Sequence, residues 1–99
     1  MRGLRIDPER TEVRRLLRHA PLRGARVLEV GCGDGRLTRR IAGVVGSIVA
    51  IDPDEAAIAR ASRRVPAGLR GRIHFQVGSG EAMPFPAHSF DAVLFSWSL

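Results

Sequence analysis

The sequence predicts an α/β fold, a Rossmann-like three-layer sandwich with a parallel sheet in the middle. Four short runs rich in valine, isoleucine and phenylalanine have the length of strands, and two segments between them have the apolar spacing of helices. A glycine-rich turn follows the first run directly. Because strands that alternate with helices imply right-handed crossovers, the strands are predicted to be parallel. They are expected at residues 26–30, 47–51, 72–77 and 90–96.

The first helix between strands is predicted from Asp34 onward. Leu37 and Ile41 recur there at the spacing of one helical face, and Val44 or Val45 continues that face. Arg36, Arg39 and Arg40 fall on the other faces. The apolar face is expected to pack on the sheet.

The second helix is predicted from Asp54 onward. Asp54 is expected to cap its first turn, and Glu55 adds negative charge there. Arg63 and Arg64 place positive charge in the last turn, and Pro66 ends the helix. Its apolar positions are Ile58, Ala61 and Val65.

The N-terminal segment is predicted to contain one further helix. Asp7 would cap it, Pro8 would occupy its first position, and Pro21 would follow its end. The 99 residues, of which 44% are hydrophobic, fit one small domain. We expect this domain to comprise an N-terminal helix within residues 1–24 and a Rossmann-like half at 25–99.

Charge and cysteine content limit the class of protein. The net charge is +6 and all 16 basic residues are arginines, which leaves nucleic-acid binding open, although the arginines are spread over several segments. No apolar run approaches the roughly 20 residues of a membrane-spanning helix. Cys32 is the only cysteine, so it cannot form an internal disulfide. A reduced, cytoplasmic protein is expected.

The glycine turn at residues 31–35 is the first candidate binding site. Ligands of open parallel sheets gather at the carboxyl ends of central strands, where this turn is predicted to lie. Gly31, Gly33 and Gly35 allow close backbone approach and conformations that are unfavourable for other residues. The alternative is a tight strand-to-helix turn that binds no ligand.

Asp52 at the end of the second strand favours a nucleoside ligand. It follows Gly35 by seventeen positions, close to the spacing of about 20 residues expected of an acid that accepts hydrogen bonds from a ribose. A carboxylate can accept from both hydroxyls of a vicinal diol. The alternative for Asp52 is a helix cap, but Asp54 is better placed for that role.

The spacing of the glycines argues against a pyrophosphate. The dinucleotide pattern is G-x-G-x-x-G, whereas this turn reads G-x-G-x-G. Asp34 would lie close to any phosphate docked there, which is unfavourable. Glu29, just before the turn, is also acidic and suits a ligand with an amine or another cation.

Three stretches together resemble the class I S-adenosylmethionine-dependent methyltransferases. "VLEVGCGDG" is similar to the family's cofactor turn, "IVAIDPDE" to its ribose-binding strand end, and "GSGEAMPFPAHSFDAVLFS" to the segment that leads into its fourth strand. The last stretch is most similar to the branch that includes ubiquinone and menaquinone biosynthesis methyltransferases. The resemblance covers residues 27–99 and implies a sheet order of 3-2-1-4 for the four strands, part of a seven-stranded order 3-2-1-4-5-7-6.

The resemblance implies a role for several of these residues in binding S-adenosyl-L-methionine. The backbone carbonyl of Gly31 would accept from the amino group of the cofactor, and Gly33 and Gly35 would pass close to its methionine part. Asp52 would hold both ribose hydroxyls. Ser96, after the fourth strand, would face the methionine end.

The resemblance also implies contacts with the adenine end of the cofactor, and one of them departs from the family pattern. Pro53 would lie beside the adenine, and the backbone near Glu81 and Ala82 would border its edge. Many relatives carry an acid that accepts from the adenine amino group, but this chain has Ser79 at that position. A hydroxyl is a weaker acceptor than a carboxylate, so we expect weaker adenine binding.

The chain ends directly after the predicted fourth strand, which indicates the cofactor-binding half of a methyltransferase. The methyl acceptor would be a small molecule, the general base would lie elsewhere, and the fragment would be inactive or weakly active alone. The stretch "AVLFSWSL" is apolar on both faces and would leave an exposed edge. Two alternatives remain, namely a binding module that self-associates through this edge and a nucleic-acid methyltransferase.

Other reactive or aromatic residues are assigned structural roles. Cys32 has no histidine positioned by sequence to activate it and is expected to fill space in the turn. Phe95 and Trp97 are expected to pack in the core, and the alternative is that they line a substrate pocket. The histidines lack ligand spacing; they are His19, His74 and His88.

Overall fold

The computed structural model describes residues 2–6, 22–80, 85 and 89–96, which form a parallel five-stranded sheet with helices. The sheet order is β1-β5-β2-β3-β4. The strands are β1 (Arg2–Ile6), β2 (Arg26–Val30), β3 (Ser47–Asp52), β4 (Ile73–Val77) and β5 (Ala92–Ser96).

The four strands predicted from the sequence are confirmed, as is their order. β2, β3, β4 and β5 correspond to the runs at 26–30, 47–51, 72–77 and 90–96, and they lie in the predicted order 3-2-1-4. β2 pairs with β3 on one side and with β5 on the other, so Val27 lies opposite both Ile48 and Ala92. The glycine turn therefore follows a strand near the middle of the sheet.

β1 was not predicted, and it changes the expectation for the fourth predicted strand. Its five residues pair in parallel with β5, with Gly3 opposite Val93 and Ile6 opposite Ser96. The expected exposed edge on β5 is therefore wrong, because β5 lies between β1 and β2. The alternative of a module that self-associates through an exposed edge of β5 therefore has no support in the described sheet. The helix predicted between Asp7 and Pro21 lies outside the described residues.

Two helices, α1 (Arg36–Ile41) and α2 (Glu55–Arg63), follow β2 and β3, and a 3₁₀ turn (Ala67–Leu69) follows α2. α1 begins two residues later than predicted, because Gly35 precedes it in a left-handed conformation with φ of 86°. α2 begins as predicted: Asp54 Oδ1 accepts from the backbone N–H groups of Ala56 and Ala57. Neither helix is long enough or apolar enough to cross a membrane.

Side chains alternate between the two faces of the sheet. One face packs against α1 in the largest cluster, formed by Leu22, Ala25, Val27, Leu37, Ile41, Val45, Ile48, Ala92 and Leu94. The opposite face contains Leu28, Ile51 and Val93, on which Phe85 and Phe90 pack. Their rings meet edge to face, with centroids 5.1 Å apart. Phe95 is 41% exposed, so its predicted core position is wrong, and Trp97 lies outside the described residues.

Candidate functional site

Four chain segments meet at the carboxyl edge of the sheet. They are the turn 31–35 after β2, Asp52 at the end of β3, residues 78–80 after β4, and Ser96 at the end of β5. Because the strands are parallel, their carboxyl ends all point to this edge. The fold thereby gathers the residues that the sequence singled out at distant positions.

The glycine turn requires backbone conformations that favour glycine. Gly31, Gly33 and Gly35 have φ angles of 78°, 56° and 86°. A methyl group added to Gly31 would also lie 3.1 Å from the carbonyl oxygen of Ser96. The backbone N–H groups of Gly31 and Cys32 both donate to the carbonyl of Ile51, at 2.9 and 3.0 Å, which fixes the start of the turn to β3.

Gly35 serves the packing of α1 against its neighbours. A methyl group there would lie 2.9 Å from Phe75 Cζ and 3.3 Å from Ala61 Cβ. The close approach of the turn to β4 and α2 is a sufficient physical reason for this glycine. The contact of Gly35 with a cofactor stays a prediction.

Asp52 points its carboxylate at the glycine turn. The backbone N–H of Gly33 donates to Oδ2 at 2.9 Å, and the backbone N–H of Asp54 donates to Oδ1 at 2.9 Å. The residue is 8% exposed. Each carboxylate oxygen has a second lone pair, so Asp52 can accept further hydrogen bonds while both backbone bonds persist. Asp54 caps α2, so the alternative assignment of that cap to Asp52 is wrong.

Glu29 is fully buried beneath the turn and is held by two hydroxyl groups. Thr38 Oγ1 donates to Oε1 at 2.5 Å, and Ser96 Oγ lies 2.7 Å from Oε2. Ser96 Oγ also lies 2.9 Å from the carbonyl oxygen of Gly31. Burial raises the pKa of Glu29, the hydrogen bonds from Thr38 and Ser96 oppose this change, and the charge of Asp52 adds to it. Glu29 thus contacts protein groups with both oxygens.

Thr38 belongs to this network, although it was not predicted as a residue of the site. It lies on α1 next to Leu37 and is fully buried. The sequence did contain a sign of this role, because Thr38 is a polar residue on the inward face of a predicted helix. Because a buried hydroxyl requires a partner, the nearby Glu29 was the candidate to consider.

Residues 78–80 bring the segment after β4 to the same edge. The backbone N–H of Gly78 donates to the carbonyl of Asp52 at 3.0 Å, and a methyl group on Gly80 would lie 2.8 Å from Val30 Cγ1. Ser79, between them, is half-buried. Pro53 is exposed directly after β3. Two further candidates, Glu81 and Ala82, lie outside the described residues.

Cys32 is buried in the turn and is poorly suited to act as a nucleophile. Its side chain is 5% exposed. Burial raises the pKa of the thiol, and the nearby charges of Glu29 and Asp52 raise it further. The thiolate is therefore disfavoured, in agreement with its predicted role as a filler. His74 is an exposed residue of β4, whereas His19 and His88 lie outside the described residues.

The charges around the turn favour a cationic ligand over a phosphate. The carboxylate of Asp52 accepts from the backbone N–H of Gly33 in the turn, and the acid Glu29 is fully buried beneath it. Asp34, within the turn, engages Arg64 in an ion pair at 3.0 Å, and its carbonyl accepts from Arg39 at 2.7 Å. Asp34 thus binds both guanidinium groups, whereas Glu29 on β2 and Asp52 on β3 have no basic partner among the hydrogen bonds described above.

Comparisons with known proteins agree on one family. A family model described as a methyltransferase domain matches residues 27–99. The chain is 35% identical over 80 residues to the O-methyltransferase cnsE of Penicillium expansum, which covers 76% of this chain and 28% of that protein. It is 32% identical over 80 residues to a ubiquinone/menaquinone biosynthesis C-methyltransferase of Ectopseudomonas mendocina, which covers 77% of this chain and 31% of that protein.

A solved structure gives the same result for the fold. Phosphoethanolamine N-methyltransferase 1 of Haemonchus contortus, in complex with phosphoethanolamine and S-adenosylhomocysteine, superposes with a TM-score of 0.74 and 26% identity. The match covers 87% of this chain and 18% of that chain. This chain thus spans less than a third of the length of each of these three proteins. Their names specify methyl transfer to oxygen, carbon and nitrogen, respectively.

Proposed function

Since this chain belongs to the methyltransferase domain family, as its three motifs predicted, we propose that it binds S-adenosylmethionine at the carboxyl edge of its sheet. The carboxylate of Asp52 carries the proposal, because it is fixed against the glycine turn by Gly33 and retains lone pairs for two hydroxyl groups. The match to a solved methyltransferase that holds S-adenosylhomocysteine supports the same ligand class.

The acidic and carbonyl acceptors of the site fit this cofactor better than they fit a nucleotide phosphate. S-adenosylmethionine carries a sulfonium and an ammonium group, which suit a site with the carboxylate of Asp52 against the turn and the acid Glu29 buried nearby. Asp52 would accept from the ribose hydroxyls, and the carbonyl of Gly31 would accept from the ammonium group. Ser79 would accept from the adenine amino group more weakly than a carboxylate would.

The bound sulfonium supplies an activated methyl group that a nucleophile can displace in line. The residues of this chain would therefore contribute positioning and exclusion of water rather than a covalent step. This is consistent with the burial of Cys32 and with the engagement of Glu29 by hydroxyl groups. We propose that the acceptor is a small molecule and that its general base lies outside these 99 residues. The chain alone would then bind cofactor with little or no turnover.

Calorimetric titration with S-adenosylhomocysteine tests the proposal, because this stable product retains the ribose and the amino group. We expect binding by the wild type and a loss of at least about tenfold in affinity for Asp52→Asn, since a charged acceptor is replaced by a neutral one. Asp54→Asn is the matched control, because it makes the same chemical change two positions away and asparagine also caps helices well. It should bind as the wild type does.

Two outcomes would contradict the proposal. One is the absence of binding heat from the folded wild type at millimolar ligand. The other is equal affinity of Asp52→Asn and Asp54→Asn, with circular dichroism showing that both variants are folded.

A further inference from the structure

We propose that Glu29 carries a proton in the ligand-free chain and that the hydroxyl of Ser96 donates to the carbonyl of Gly31 only while Glu29 is protonated. Glu29 and Ser96 are then positioning residues, which act on a bound amine through that carbonyl. The inference rests on the proposed function for the identity of the ligand, whereas its first step concerns the ligand-free chain alone.

The number of available protons decides the direction of each hydrogen bond. Ser96 Oγ lies within hydrogen-bond distance of both Glu29 Oε2 and the carbonyl oxygen of Gly31. A serine hydroxyl has one proton to donate, whereas a carbonyl oxygen and an ionised carboxylate have none. Both contacts are therefore separate, two-centre hydrogen bonds only if Glu29 is protonated, whereas an ionised Glu29 would leave the single proton of Ser96 to two competing acceptors. In the protonated state, Oε2 donates to Ser96 Oγ, and Ser96 Oγ donates to Gly31.

Ionisation of Glu29 reverses the role of Ser96. The hydroxyl turns toward the carboxylate, because a hydrogen bond to an ionised acceptor is the stronger one. The carbonyl of Gly31 then loses the proton that Ser96 supplied, and a lone pair of Ser96 Oγ faces it at 2.9 Å. The bond from Thr38 to Oε1 is compatible with both states. The protonation of Glu29 thus controls how strongly the Gly31 carbonyl attracts another donor.

The surroundings of Glu29 favour the protonated form. Among the residues that the structure describes, the groups that face it are Thr38 from α1, Ser96 from β5, Asp52 from β3 and the thiol of Cys32 in the turn. None of these four groups is a cation, and Asp52 repels a second negative charge. Burial disfavours the carboxylate most, and it raises the pKa of Glu29 although the hydrogen bonds from Thr38 and Ser96 act in the opposite direction.

A bound ammonium group would favour the ionised form. It donates to the Gly31 carbonyl in place of Ser96, and its positive charge lies close to Glu29. Binding therefore drives the proton of Glu29 into the solvent, and proton release must in turn strengthen binding. The affinity should rise with pH, by up to about tenfold per pH unit, from the lower pKa of Glu29 in the complex to its raised pKa in the free chain.

Calorimetry in two buffers that differ in ionisation enthalpy measures this proton release. S-adenosylhomocysteine is titrated into the full chain at several pH values above 4.5, the ordinary pKa of glutamate. We expect the wild type to release up to one proton per ligand. Glu29→Gln keeps hydrogen bonds to both hydroxyls without a titrating proton, so its affinity should not change with pH. Glu55→Gln, at an exposed position of α2, should behave as the wild type does.

Equal proton release by the wild type and Glu29→Gln would overturn the inference. A second measurement separates it from the proposed function: the ¹³C chemical shift of the Glu29 carboxyl carbon reports its protonation in the ligand-free chain. We expect a protonated Glu29 at about pH 6, where an ordinary glutamate is ionised. An ionised Glu29 there overturns the inference whether or not ligand binds. A protonated Glu29 without any binding heat supports the first step and overturns the proposed function instead.

Discussion

The backbone N–H of Gly33 donates to Oδ2 of Asp52 at 2.9 Å, and this bond joins the turn after β2 to the end of β3. The second oxygen of the same carboxylate accepts from the backbone N–H of Asp54, just before α2. One buried acid thus holds two loops of the candidate site in fixed positions. A ribose that binds there would meet an acceptor that is already oriented, which lowers the entropic cost of binding.

Asp52→Asn should destabilise the ligand-free fold. An asparagine can offer only one oxygen, so its NH₂ group would face either the N–H of Gly33 or that of Asp54. Leaving one buried donor without an acceptor costs about 1–3 kcal/mol. Urea unfolding followed by circular dichroism measures the loss. Asp54→Asn should change the free energy of unfolding much less, and equal losses in the two variants would contradict this account.

Gly35→Ala should destabilise the chain by about 1–3 kcal/mol or more, because two costs add. Alanine is strained at a φ of 86°, and its Cβ would overlap with Phe75 Cζ. Gly43→Ala is the matched control, since Gly43 has ordinary backbone angles and an added methyl group there meets no atom within 4 Å. Differential scanning calorimetry compares the two variants. Similar melting temperatures would show that the packing of Gly35 is unimportant.

Four of the five strands of the described sheet were predictable from local sequence pattern, and β1 was not. The four runs that became β2 to β5 are rich in β-branched residues, as expected for strands buried on both faces. β1 was missed because its five residues include two arginines and its partner, β5, is about ninety positions away. Only a long-range contact reveals that this segment is a strand.

The candidate site was predictable for residues at strand ends and less so for those on helices. The position of Asp52 beside the turn follows from parallel pairing of β2 with β3, because both strands end at the same edge. The bond from Thr38 to Glu29 depends on the rotation of α1 about its axis. Gly35 precedes α1 in a left-handed conformation, and the helix begins at Arg36, two residues later than predicted. Apolar spacing alone does not fix the start of a helix to within two residues.

Deletion of residues 1–6 should destabilise the chain and cause it to self-associate. β1 pairs with β5 along Ala92–Ser96, and its removal would leave the backbone groups of an apolar strand unpaired at the edge of the sheet. Sedimentation velocity at several protein concentrations, with the full chain as control, measures the association. If the shortened chain is monomeric throughout and unfolds at the same urea concentration, β1 contributes nothing to the sheet.

Glu29→Gln should become more stable relative to the wild type as pH rises above 4.5. The pKa of Glu29 is raised in the folded chain, so above pH 4.5 the unfolded chain loses this proton first. The wild type then loses stability as pH rises toward the folded pKa, by at most about 1.4 kcal/mol per pH unit, whereas glutamine has no proton to lose. Urea unfolding of both chains across this pH range measures the difference. If the two stability curves are parallel, any constant offset between them reflects packing alone. Glu29 would then ionise as readily in the folded chain as in the unfolded one, and the prediction would be wrong.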